Sequence, residues 1–224
     1  MMKEITINPE KSRIFQDLVE FSGLPAELVL KRCQYAVAEL AIRWHQCKGV
    51  LNFYQEEDLY LFDLTKYQLL LEFHDVVKRM IEQIQSLGLT KVLEFGGGIG
   101  EFSLRCAEAG IPVTYYELDG VIKDYALWRF DKHKTGIKTG LSGLYIVEVN
   151  PLPENWDVVN VMDVLEHLEK PEEAIAQLRR HTRYIFCNPE DVKYNDYYPQ
   201  HIGKFDLTPH FERQEGYLWK NKEL

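Results

Sequence analysis

Val92-Leu93-Glu94-Phe95-Gly96-Gly97-Gly98-Ile99-Gly100 is the stretch whose reading decides the fold. Apolar residues run into an acid and then into glycines at 96, 98 and 100. The apolar run reads as a buried parallel strand, and the glycines let the backbone turn sharply and approach a ligand closely. A helical pattern follows, with Phe102, Leu104, Cys106 and Ala109 inward and Gly110 as its stop. Strand, glycine turn and helix make a nucleotide-binding corner.

Two acids narrow the choice of nucleotide. The dinucleotide fingerprint G-x-G-x-x-G needs a third glycine at 101, where Glu101 stands. Glu94 directly precedes that turn, and a carboxylate there would repel a pyrophosphate in a poorly screened corner. A ligand carrying a sulfonium and an ammonium, and no phosphate, is compatible with that acid. The spacing E-x-G-x-G-x-G resembles motif I of the class I S-adenosylmethionine-dependent methyltransferases. The resemblance implies S-adenosyl-L-methionine as cofactor, bound by Glu94, Gly96, Gly97, Gly98 and Gly100.

Outward from this corner the pattern alternates strand and helix from Thr90 onward. Strands are expected at 91–95, 113–117, 144–149, 157–162 and 184–187, with helices over about 100–109 and 121–133 and one starting at Pro171. A final antiparallel pair is expected near 211–215 and 217–220. This is an α/β, doubly wound, mostly parallel sheet with ligands beyond the C-terminal strand ends. The first 88 residues read as helices instead. One carries Leu30, Cys33, Val37, Leu40 and Trp44 and stops at Lys48-Gly49; another carries Leu70, Phe73, Val77, Met80, Ile84 and Leu87 and is capped by Gly88. Between them, 53–62 is aromatic and acidic without a clean period and reads as a loop with a short helix or strand. The expected division is a helical cap over 1–88 and a Rossmann-like catalytic domain over 89–224.

The composition, 46% hydrophobic and 27% charged, is that of a globular chain. A net charge of −9 argues against a nucleic-acid substrate, because a polyanion would be repelled on approach. No signal peptide or membrane span is read from the N-terminus. Cys33, Cys47, Cys106 and Cys187 form no C-x-x-C pair, so reduced thiols and a cytoplasmic setting are expected. No HExxH or Cys/His zinc spacing appears, and no metal is expected. The oligomeric state stays open, a homodimer being one option.

The remaining candidates lie at the same rim of the sheet. Glu117 closes the second strand, where an acid can accept from two ribose hydroxyls, and the resemblance carries that role onto it. Asn150, after the third strand, is the candidate for the adenine edge, with a turn before Pro151 as the competing reading. The block Trp156–Pro171, with Asp163-Val164-Leu165-Glu166-His167, resembles the strand-four motif of small-molecule methyltransferases. Asp163 is placed to meet the cofactor's methionine end or the substrate. His167 is the candidate base because imidazole titrates near neutrality, although the Glu-His pair equally suits a loop brace. The segment 188–201 is aromatic and polar, and Tyr197 and His201 are its candidates at the acceptor. Tyrosine faces there, and Tyr54, Tyr60 and Phe62 in the cap, would attract cations or simply pack.

The family implies transfer of the sulfonium methyl to a small-molecule acceptor, leaving S-adenosylhomocysteine. Alternatives are attack by the cofactor's own amine to give azetidine-2-carboxylate and methylthioadenosine, and a cofactor-binding protein without turnover. An NAD-dependent oxidoreductase is disfavoured by Glu94, Glu101 and the lack of Tyr-x-x-x-Lys.

Overall fold

The computed structural model describes residues 8–47, 49–139, 155–188 and 198–224. Its centre is a seven-stranded sheet in the order β3-β2-β1-β4-β5-β7-β6. The strands are β1 (Val92–Phe95), β2 (Val113–Tyr116), β3 (Lys138–Thr139), β4 (Trp156–Asn160), β5 (Thr182–Phe186), β6 (Phe211–Arg213) and β7 (Leu218–Asn221). Pairing is parallel through β5, and β7 runs antiparallel to both β5 and β6. The doubly wound, mostly parallel architecture expected from the alternation is therefore present. The expected third strand at 144–149 lies outside the described residues; the strand seen beside β2 is Lys138–Thr139.

β1 is the central strand, and its register aligns Val92 with Val113 on one side and Val158 on the other. Successive side chains point to opposite faces. Val92 enters a core with Met80, Ile84, Phe102 and Phe186, while Leu93 enters one with Val159, Ile175, Leu178 and Ile185. Helices cover both faces, which is why the strand is an apolar run rather than an alternating one.

The N-terminal part contains α1 (Arg13–Ser22), α2 (Ala26–Trp44), α3 (Val50–Glu56), α4 (Tyr60–Gln68) and α5 (Leu71–Ser86). The expected loop at 53–62 is mostly helical, as two short helices separated by a turn. Its aromatic residues pack on several sides at once, so no single apolar stripe appears in the sequence. The second helix ends at Trp44, before the expected stop, and Gly49 (φ 109°) precedes α3 instead. Gly88 (φ 62°) ends α5 as expected. Helix α5 packs on the sheet through Val77, Met80 and Ile84. Helices α1, α2 and α4, with Phe53 of α3, share a separate core with Ile99 of the glycine loop and with Ile122 and Tyr125 of α7 (Val121–Lys132). The remaining helices are α6 (Glu101–Glu108) and α8 (Pro171–His181). No helix among the described residues is long and apolar enough to cross a membrane, and Cys33, Cys47, Cys106 and Cys187 are free thiols.

Candidate active site at the glycine loop

The loop between β1 and α6 turns through Gly96 and Gly98, at φ 68° and 53°. These left-handed conformations suit glycine because a Cβ would be strained there. Space is short as well: a Cβ at Gly96 would come within 2.8 Å of the Val164 side chain. The amides of Gly96 and Gly97 both donate to the Tyr116 carbonyl, at 2.9 and 3.1 Å. The Tyr115 hydroxyl donates to the Gly98 carbonyl at 2.6 Å. The loop is thus clamped to the end of β2. Gly100 starts α6, where a Cβ would strike the Phe130 ring at 2.6 Å.

Glu117 follows β2 and reaches back to this loop. Its two carboxylate oxygens accept from the amides of Gly98 (2.6 Å) and Leu118 (2.7 Å). Burial raises its pKa, and those two N–H groups oppose the rise. Each oxygen retains a lone pair for a further donor.

Glu94 behaves differently from expectation. Its carboxylate, in a residue only 4% exposed, accepts from the amide of Ser103 at 3.1 Å and from the Ser103 hydroxyl. It lies beneath the loop, beside the position a Gly97 Cβ would take, and does not line the cleft. Burial pushes its pKa up to about 8. The carboxyl is therefore largely protonated at neutral pH, and the reading of Glu94 as a charge facing the ligand is corrected. It ties the strand end to the first turn of α6.

A cleft opens above the loop. Gly96, Gly98, Glu117 and Leu118 line one part of it, and Asp163, Val164, His167 and Leu168 another. Tyr54, Tyr60 and Leu64, from α3 and α4, complete the wall. The tyrosines were ambiguous in sequence, and Leu64 carried no signal at all, because only the packing of the N-terminal helices brings them here.

Asp163 takes a left-handed conformation (φ 54°), which aspartate tolerates better than most residues. Burial raises its pKa, while hydrogen bonds from Tyr67 and Asn188 act the other way. Tyr67 lies on α4, and nothing in the sequence connects it to Asp163. His167 presents Nδ1 to the Tyr54 hydroxyl at 2.7 Å, and the Gln200 carbonyl lies within hydrogen-bonding reach of the ring. Burial first, then His201, pushes its pKa down to about 3. A ring so placed is neutral, which favours the brace over the base among the two readings the Glu-His pair left open. His201 packs edge-on against His167, centroids 4.6 Å apart, and stacks on Tyr198. It stands behind His167 and is not among the cleft-lining residues. Asn150 and Tyr197 lie outside the described residues.

Residues 64–198, more than half of the chain, match a family described as a methyltransferase domain. No curated protein matches the sequence. Among solved structures, TehB from Haemophilus influenzae is similar at 23% identity and TM-score 0.43, covering 49% of this chain and 39% of its own. An S-adenosylmethionine-dependent methyltransferase from Clostridium acetobutylicum is similar at 12% identity and TM-score 0.48, covering 58% of this chain and 57% of its own. The chain thus spans 39% and 57% of the length of those two proteins.

Proposed function

Because this chain belongs to the family of methyltransferase domains, we propose that it moves the sulfonium methyl of S-adenosylmethionine onto a small molecule held in the cleft. Dependence on that cofactor is the property of the family. The choice of a small acceptor is our reading, supported by the cleft itself. The cleft is concave and walled by Tyr54, Tyr60 and Leu64 on one side, the form of a small-molecule site rather than of an open face for a polymer. The net charge of −9 supports the same choice over a nucleic acid.

The residues present fit the cofactor. The half-buried Glu117 carboxylate keeps acceptor capacity beside the loop, suited to ribose hydroxyls. Gly96 and Gly98 leave backbone, not side chain, facing the cleft. When bound, the cofactor supplies a methyl already activated by positive sulfur, and its transfer leaves the neutral thioether S-adenosylhomocysteine. The chain's own task is then to align and desolvate, which in the best intramolecular cases is worth about 7–11 kcal/mol. Tyr54 and Tyr60 exclude water from the cleft and offer aromatic faces to a cation.

The observation that carries this reading is the meeting of Glu117 with Asp163 and His167 around one cleft. The test is to incubate the protein with S-adenosylmethionine alone, then with pooled metabolites, and to identify the nucleoside released. Adenosylhomocysteine that appears only with an added acceptor is the expected result. Methylthioadenosine without a second substrate, or cofactor binding with no product, would overturn it.

A further inference from the structure

Behind the cleft, Glu166, His167 and His201 bring one carboxylate oxygen and two ring nitrogens within 4.8 Å of one another. From this cluster we infer a site for one divalent cation, held by Glu166, His167 and His201. Two groups of the cluster, the Glu166 carboxyl and the His201 ring, point to a missing partner. Glu166 is only 4% exposed, and among the described residues its carboxyl has its own backbone amide as donor and no side-chain donor. The nearby Asp163 carboxylate adds repulsion rather than relief. The Nδ1 atom of His201 is buried without a hydrogen-bond partner. A buried ring nitrogen without a partner is costly unless something binds it.

The donor chemistry selects the ligand. Two imidazoles and a carboxylate suit manganese, iron, cobalt or zinc, whereas magnesium prefers oxygen alone. Bonds of about 2.0–2.2 Å set tetrahedral donors roughly 3.4 Å apart, so the three side chains would close in on the ion as it binds. The orientation is already supported: Tyr54 at 2.7 Å occupies Nδ1 of His167, so the other nitrogen is the one to ligate, in place of its contact with the Gln200 carbonyl. An outer hydrogen bond on a ligating histidine fixes its ring and tautomer. Of the three ligands only His167 lines the cleft, so the cation would stand just behind the cleft wall, where an acceptor hydroxyl entering beside His167 would meet it. Coordination would make that hydroxyl more acidic, its proton leaving to solvent water. This consequence, unlike the site itself, rests on the methyl-transfer reading and narrows the acceptor to a hydroxyl compound.

The experiment titrates the full chain with manganese(II) chloride, following free manganese by electron paramagnetic resonance and heat by calorimetry, with a parallel titration of S-adenosylmethionine. One manganese per chain is expected. Affinity should fall at least tenfold in Glu166→Gln and in His201→Gln and stay unchanged in His45→Gln, an exposed control. Thermal melts establish that the variants fold. Wild-type protein that leaves the manganese free, or folded variants that bind it as wild type does, would overturn the inference. Manganese failure with intact cofactor binding defeats this site alone. Failure to bind S-adenosylmethionine defeats the functional reading instead.

Discussion

The Glu101 carboxylate and the Arg129 guanidinium, both fully buried, meet at 2.6 Å. The same guanidinium reaches Asp17 of α1 at 3.0 Å and the carbonyl of Ile99 in the glycine loop at 2.7 Å. Glu101 also holds Arg105 at 2.8 Å and Arg13 at 3.1 Å. One network therefore joins the N-terminal helix α1, the glycine loop, α6 and α7. The acid occupying the place of a dinucleotide-type glycine is the anchor between the helices and the loop that shapes the cleft.

Removing Arg129 leaves two carboxylates buried without their shared cation. Arg129→Met should lower stability by about 3–5 kcal/mol, the scale for breaking a buried pair from one side. Urea denaturation measures it, and a loss below about 1 kcal/mol would show that Asp17 and Glu101 find compensation elsewhere.

Two sets of carboxylates should pull the pH dependence of stability in opposite directions. Burial raises Asp17 and Glu101, but their cationic partners outweigh it, and both end below the ordinary range. Their contribution is full above the unfolded carboxylate values and is lost as pH falls through the lowered folded ones. Glu94 has its folded value pushed up to about 8 by burial. Its contribution is full below the unfolded value of about 4.3 and declines as pH rises toward 8, by up to roughly 1.4 kcal/mol per pH unit. Glu94→Gln should flatten the stability profile between about pH 4.5 and 8. An unchanged profile would mean that Glu94 ionises freely in the folded protein.

Cofactor affinity should depend on the loop and on Glu117. At Gly98, φ is 53° and a Cβ would stand 3.2 Å from Leu64, so Gly98→Leu should abolish binding of S-adenosylmethionine. Unaltered calorimetric affinity would contradict that. Glu117→Ala should weaken binding by roughly 1.5–3 kcal/mol, the scale of hydrogen bonds to a charged group. A negligible change would take Glu117 out of the site.

His167 should not titrate between pH 5.5 and 8, because burial and His201 push its pKa down to about 3. The kcat/KM profile should then lack a limb near 6.5. A limb that is present in the wild type and vanishes in His167→Gln would restore the ring as a base. Tyr54→Phe removes the 2.7 Å contact to Nδ1 and should cost about 1–3 kcal/mol of stability.

Sequence by itself determined the central strands of the sheet and the corner on them. The apolar run of β1, the glycines after it and the acid at the end of β2 are local signals, written in neighbouring residues by backbone conformation and strand periodicity. The direction of each side chain was decided by tertiary packing. Glu94 turns under the loop to Ser103, Glu101 meets Arg129, and His167 meets Tyr54 across 113 positions of sequence. The sequence shows that a residue can ionise or coordinate. Burial and the partner brought by a distant helix set whether it does, because desolvation and pairing depend on neighbours in space rather than along the chain.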